Sequence, residues 1–296
     1  MAITKRSYQL LSDFPKVHQF LTDNYNIQEL NGMLLPQFFE YAHTHPLFNH
    51  KLTHRMTIWE DRNTIIAFCC YEMDIGEAFL VIKNSYETLL AEMLKQAECE
   101  LSVKTGSKRT LSVWVTDTQS AHINLLKNNG YKKTHAEPVR ILEYQNDFPK
   151  HVLPNGFSCM SLNEENDLFQ LHRCMHRGFD HQGDSNGDID CRRVMQSGPH
   201  FRRDLSTVIK APDGDYACFA GMWFDKKNKY AYLEPLCTMP EYRCMGLATY
   251  ALTEAMKKTK ALGAEYCFGG VPEFYTAIGF ETICHRELWS KEWRHE

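Results

Sequence analysis

Two hydrophobic periods alternate along the chain. Residues 64–72 (TIIAFCCYE) and 77–82 (EAFLVI) are apolar runs of strand length, dense in β-branched and aromatic residues. Cys69 and Cys70, adjacent on the first run, are expected on its opposite faces. The spacing then predicts a helix over 86–104, a strand over 109–117 (RTLSVWVTD) and a short helix over 120–129 that stops at Gly130. From 206 the same order returns. STVIKA (206–211) and YACFAGMWF (216–224) read as strands around a turn at Pro212, Asp213 and Gly214, and KYAYLEPLCTM (229–239) as the next strand. Residues 246–262 are predicted helical, with Leu247, Ala251, Leu252, Ala255 and Leu262 on one face and Gly263 after them. AEYCFGG (264–270) is a strand, PEFYTAI (272–278) a short helix with Pro272 in its first turn and Gly279 at its end, and ELWSKEW (287–293) a final strand. Such alternation predicts an α/β (α+β) architecture with mixed sheets flanked by helices.

The second half also repeats the first in detail. LLKNNGYKK (125–133) aligns with FYTAIGFET (274–282), Gly130 over Gly279, and YETLLAEML (86–94) with YRCMGLATY (242–250), Tyr86 over Tyr242. The chain therefore reads as two copies of one unit of roughly 145 residues. The domains expected are 1–148 and 149–296, joined in QNDFPKHVLPNG (145–156). A net charge of −4 with no basic stripe gives no reason to expect nucleic acid as a partner. The first residues lack the apolar core of a signal peptide, and no apolar run has the length of a membrane span. The eleven cysteines are odd in number and contain no C-x-x-C pair. Free thiols in a cytoplasmic protein, and no structural metal, are expected from that.

One stretch carries chemistry. In EYRCMGLATYAL (241–252) a helix opens on Gly246, a poor helix former, directly after a strand. Gly246 and Ala248 let a ligand approach the backbone, the helix start offers unpaired N–H groups, and Arg243 adds a fixed charge. On these residues alone the loop is either an anion site or a plain strand–turn–helix. With the strand before it and FYTAIGFE after it, the segment resembles the GNAT superfamily of acyl-CoA-dependent N-acyltransferases, specifically over roughly residues 205–285. The resemblance implies two tandem GNAT-like domains and acetyl-CoA as cosubstrate. It implies that the loop Arg243, Cys244, Met245, Gly246, Leu247, Ala248 and Thr249 cradles the coenzyme pyrophosphate, with Ala248 where glycine is commoner. It implies that the pantetheine arm pairs with the strand at Leu236, Cys237 and Thr238, the thioester carbonyl lying near Leu236–Cys237, and that Tyr275 lies by the thioester. In the first copy Glu87, Leu90 and Glu92 replace Arg243, Gly246 and Ala248, and Leu126 replaces Tyr275. That copy is expected to be a scaffold without coenzyme, since a carboxylate repels phosphate and a leucine blocks its approach.

Acyl transfer needs an oxyanion donor, a base for the amine and an acid for the thiolate. Pro235 cannot donate to a ladder, so a bulge or splayed edge is expected there, next to the Leu236–Cys237 donor. Glu234 is the candidate base, or else a structural carboxylate; Tyr275 is the candidate acid, or else a half-buried aromatic. The Cys237 thiol is expected to be a small packed side chain rather than a nucleophile. His43, His45, His50 and His54, like His172 and His176, lack the companions of a metal site. DSNGDID (184–190) misplaces the glycine and the last carboxylate of a calcium loop. Asp180, His181 and Asp184 are either contacts for a cationic acceptor or a solvated turn. The function expected is transfer of the acetyl group to an amine of a small molecule or peptide, in a ternary complex in the second copy. Two alternatives are a non-catalytic acyl-CoA sensor and an amide-forming transferase like mycothiol synthase.

Overall fold

The computed structural model describes residues 3–185 and 187–294; Asn186, inside the rejected calcium-loop segment, lies outside the described residues. In chain order come β1 (Thr4–Ser7), α1 (Leu10–Asp23), α2 (Pro36–Thr44), β2 (Thr57–Asp61), β3 (Thr64–Cys70), β4 (Glu77–Ile82), α3 (Leu90–Glu100), β5 (Val103–Thr105), β6 (Lys108–Thr116), α4 (Ser120–Asn128) and β7 (Lys132–Glu143). Then follow β8 (Ser158–Ser161), α5 (Leu168–Gly178), α6 (Asp190–Met195), β9 (Thr207–Lys210), β10 (Tyr216–Asp225), β11 (Tyr230–Thr238), α7 (Leu247–Ala261), β12 (Tyr266–Phe268), α8 (Glu273–Ala277) and β13 (Glu281–Arg294). No helix among the described residues is long and apolar enough to cross a membrane.

The chain divides into two compact units. The first holds the residues up to Pro138 together with those from Cys284 onward, and the second holds Val139–Ile283. The division falls before the join expected at 148, and the final strand returns to the first unit. In the first unit the sheet runs β1-β2-β3-β4-β6-β13-β7, with β5 added on β6. Within it β4 and β6 pair in parallel. Cys69 and Cys70 are both buried, because α1 and α3 pack on β3 and the sheet is covered on both faces. In the second unit the order is β8-β9-β10-β11-β12, closed by the β7 residues from Val139 onward, and β11 with β12 is parallel.

The second unit's core lies under α7. Leu247, Ala251, Leu252, Ala255 and Met256 meet Ala217, Ala220, Met222, Ala231, Leu233 and Cys267 of the sheet. Burying a leucine such as Leu252 stabilises the unit by roughly 1.5–3 kcal/mol. Leu262, expected on that face, is instead exposed at the helix cap, because Gly263 turns left-handed there and Ala264 N–H closes back on the Thr259 carbonyl. The helix expected over 86–104 is three pieces: a 3-10 turn over Asn84–Leu89, then α3, then β5. The two sequence alignments have matching geometry. Tyr86 donates to Asp61 at 2.8 Å, and Tyr242 to Asp213 at 2.7 Å, each on the hairpin before its helix. Gly130 and Gly279 are both left-handed, and Tyr131 and Phe280 N–H bond to the Leu126 and Tyr275 carbonyls at 3.0 and 2.9 Å.

Candidate active site

β11 is paired on one side to its end and on the other only at its start. It meets β10 as far as Thr238, but meets β12 only from Tyr230 to Tyr232. The divergence has a local cause. The β10–β11 register shifts between Ala220 and Met222, opposite Glu234 and Pro235, where Pro235 has no N–H to give. Gly221 permits the shift, since a methyl group there would lie 2.6 Å from the Glu234 carbonyl oxygen. Met239 N–H bonds the Ala217 carbonyl at 2.9 Å. By the two-residue alternation of an antiparallel ladder, Cys237 then faces β10, while Leu236 and Thr238 turn their N–H groups to the open side. The Cys237 side chain packs against α5, its Sγ 4.0 Å from that of Cys174 and its Cβ against Gly178.

The strand leads into the loop before α7. Cys244 and Gly246 both have left-handed φ, +61° and +75°, and Gly246 is the N-cap, with no side-chain cap. The first helical bond is Tyr250 N–H to the Gly246 carbonyl, 3.1 Å. Leu247, Ala248 and Thr249 therefore have N–H groups without partners inside the helix, at its positive end. Cys244 and Met245 carry the loop into this turn. Arg243 is tied down, donating to the Thr238 and Gly178 carbonyls and to Asp180 at 2.9 Å. Asp180 is thus the partner of Arg243 in this structure. The His181 ring lies against His176, 5.6 Å between centroids.

A segment that sequence reading treated only as a join lies on α7. Tyr144 hydroxyl bonds Thr259 at 2.7 Å, Thr253 donates to the Pro149 carbonyl at 3.2 Å, and His151 Nε2 meets the Met245 carbonyl at 3.3 Å. A cavity of about 840 Å³ lies between this strap and Tyr250, Thr253, Glu254 and Lys257. The His151 ring stands directly over Gly246, where an added methyl would lie 1.5 Å from Nε2.

Tyr275, on α8, is buried, its ring against Gly269, Gly270 and Phe280. Among the described residues no hydrogen-bond partner meets its hydroxyl. Burial, then the nearby Glu234 carboxylate, pushes the hydroxyl well above its ordinary pKa. Glu234 is partly buried, and the Tyr232 hydroxyl lies 3.4 Å from its Oε2. The fold thus brings Glu234, Tyr275 and the open edge of β11 into one neighbourhood, with the uncapped start of α7 beyond the strand's end.

The first unit treats the same places differently. β4 and β6 also part after their third pair, Phe79 with Trp114. Here the chain fills the gap itself. Gly32 N–H donates to Gln119 Oε1 at 3.0 Å, and a methyl on Gly32 would lie 2.6 Å from the Trp114 carbonyl oxygen. The open edge of β4 is capped by side chains: His122 on the Leu80 carbonyl at 3.0 Å and Asn24 on that of Ile82 at 3.1 Å. Val81, two residues beyond the last pair, stands where the second unit has Glu234. None of Asn24, Gly32, Gln119 and His122 belongs to a local motif, and sequence reading missed them. His43, from the histidine-rich stretch, is buried among Phe14, Phe39 and Phe48 and bonded to Tyr8 and the Phe39 carbonyl.

The model of the acetyltransferase (GNAT) family matches residues 166–280. No curated protein matches the sequence. Among solved structures, a GCN5-related N-acetyltransferase from Sphaerobacter thermophilus is similar with a TM-score of 0.62 and 12% identity, over 99% of this chain and 96% of that one. A tandem GNAT protein from the clavulanic acid biosynthesis pathway is similar at 0.61 and 13%, over 98% of both chains. N-myristoyltransferase of Saccharomyces cerevisiae with bound myristoyl-CoA is similar at 0.56 and 12%, over all of this chain and 80% of that one. These identities bear on fold alone. Residues 166–280 thus match the acetyltransferase (GNAT) family, in a chain that shares the fold of GNAT structures along nearly its whole length.

Proposed function

We propose that the second unit transfers the acyl group of acetyl-CoA to an amine of a small molecule or peptide, by direct attack in a ternary complex. The observation that carries this reading is the unpaired edge of β11 running into the uncapped start of α7. A pantetheine arm carries amide groups and can add to such an edge as a short extra strand, through Leu236 and Thr238. The coenzyme diphosphate would take the N–H groups of Leu247, Ala248 and Thr249, with Arg243, Cys244, Met245 and Gly246 shaping the turn. The amine nitrogen bonds to the thioester carbon, and the oxyanion is held by the Leu236 or Thr238 N–H. Glu234 accepts the amine proton, directly or through water. The C–S bond breaks and Tyr275 protonates the sulfur. One proton transfer from Glu234 to the tyrosinate restores both groups.

The first unit serves as a scaffold without coenzyme. Eleven cysteines, all present as thiols, support a cytoplasmic setting. A non-catalytic acyl-CoA sensor would use the same edge and loop but needs neither Glu234 nor Tyr275. The test is a panel of amines mixed with acetyl-CoA and the protein, with thiol release followed optically and acetyl-CoA affinity measured calorimetrically. Thiol release that depends on the amine is expected. Tight binding without release for any amine favours the sensor, and the lack of binding would sink both readings.

A further inference from the structure

Arg140 lies on β7, in the second unit, and its side chain is 9% exposed. Among the described residues no carboxylate pairs with it. Its Nη1 instead donates to three successive backbone carbonyls, those of Gly270, Val271 and Pro272, at 3.2 Å, at closer range and at 3.4 Å. Its own carbonyl accepts the Gly269 N–H at 2.9 Å. Backbone and side chain together thus hold the whole link between β12 and α8. A buried cation that meets only carbonyls through Nη1, its Nε without a partner among the described residues, is costly, and an apolar residue would fill the site more cheaply. The link is otherwise at the surface: Val271, Pro272 and Glu273 are exposed.

Tyr275 lies on the other side of this link. A methyl on Gly270 would be 2.7 Å from the Tyr275 ring and 3.1 Å from its hydroxyl, and one on Gly269 would be 2.8 Å from the ring. The Tyr275 N–H also bonds the Pro272 carbonyl at 3.1 Å, one of the carbonyls held by Arg140. The ring therefore rests on backbone whose place is set by Arg140. The first unit supplies a contrast. There β13 takes the strand position that β7 takes in the second unit. Leu288 pairs with Trp114 as Ile141 pairs with Phe268, so Glu287 stands where Arg140 stands. The copy with leucine in place of Tyr275 has no guanidinium at that position.

We propose that Arg140 is a positioning residue, fixing the Gly270–Pro272 carbonyls so that the Tyr275 hydroxyl meets the leaving sulfur. This rests on the reading of Tyr275 as the acid. The test is a cycle of Arg140→Gln and Tyr275→Phe, singly and together, with Arg140→Lys alongside. Arg140→Gln should lower kcat at least about tenfold, within the range general acids supply, with acetyl-CoA affinity within about twofold. In the Tyr275→Phe background it should cost nothing further, because both changes remove the same interaction. Arg140→Lys keeps a donor for one carbonyl and should recover part of the loss. Should the glutamine variant not fold, the lysine variant is carried through the same cycle. An equal loss in both backgrounds, or an unchanged kcat, would overturn the proposal while leaving the acid assignment standing. An active Tyr275→Phe with full kcat removes the acid assignment itself, and the positioning role with it.

Discussion

Gly246 meets two demands at one Cα. Its φ of +75° is costly for any residue with a side chain, and the His151 ring already fills the place a side chain would take. The sequence argument for Gly246 was access for a ligand; the structure adds a left-handed turn and a neighbour from the strap. Gly246→Ala should cost roughly 1–2 kcal/mol from backbone strain alone, read as a lower thermal midpoint. It should also weaken acetyl-CoA binding, because the methyl displaces the turn that aims the N–H groups. An alanine variant with full affinity would show that Gly246 serves only the turn. Tyr275 carries a prediction of different kind. Burial and the Glu234 charge raise its pKa, so the proton is held more tightly than in a free tyrosine, near 10. Rising pH should then leave the acid intact to at least about pH 10, and the alkaline side of the kcat profile should carry no limb from Tyr275. A descending limb near pH 9 that disappears in Tyr275→Phe would contradict this.

At the scale of elements, what could be read was what is local. The strand at 77–82 and the glycine-ended helices before Gly130 and Gly279 depend on nearest neighbours and turn chemistry, and they stand where the pattern put them. The helix expected over 86–104 failed at its ends. Its first turn is 3-10, and its last residues form β5, turned back onto β6 at Gly106 and Ser107. The gap beside β4 was less legible still. It is closed by Asn24, Gly32 and, from the start of α4, Gln119 and His122, and no short window of sequence contains them together. The substitutions at Glu87, Leu90 and Glu92 are a separate ground for expecting no coenzyme in the first copy. The closure makes its own prediction. Gly32 has φ of +65° and leaves no room against the Trp114 carbonyl. Gly32→Ala should therefore destabilise the first unit by roughly 1–3 kcal/mol, from left-handed strain and the forced contact. Acetyl-CoA affinity, measured well below the new midpoint, should not change. A stable alanine variant would mean that the segment is only loosely seated.

For the molecule as a whole, the matched local turns were legible and the return of the last strand to the first unit was not. Tyr86 and Tyr242, aligned in sequence, each reach an aspartate on a hairpin of their own unit. That β13 belongs to the unit holding β6 could not be read, since the ladder from Arg286 to Arg294 pairs residues some 170 or more positions apart. The composition of the join suggested a sequential division, and chain order alone cannot distinguish that from an exchanged strand. The two compact units raise the question of how many coenzymes one chain holds, and they answer it differently. Among the described residues, the second has an edge without a partner beyond Tyr232 and three unpaired helix N–H groups. The first has Asn24 and His122 on the matching carbonyls, its own Gly32 in the gap, and a helix that opens on Leu90 with Glu92 in its first turn. To admit a pantetheine arm, the first unit would have to expel that segment and break three hydrogen bonds, each with a net contribution of about 1 kcal/mol, and would then meet a carboxylate at the phosphate end. Calorimetric titration with acetyl-CoA should therefore give one site per chain. Glu92→Ala should leave the number at one, because the gap stays filled, whereas Gly246→Glu should bring it to zero in a folded protein. A second site of similar affinity, surviving Gly246→Glu, would show that the first unit opens and that its closed edge is not its working state.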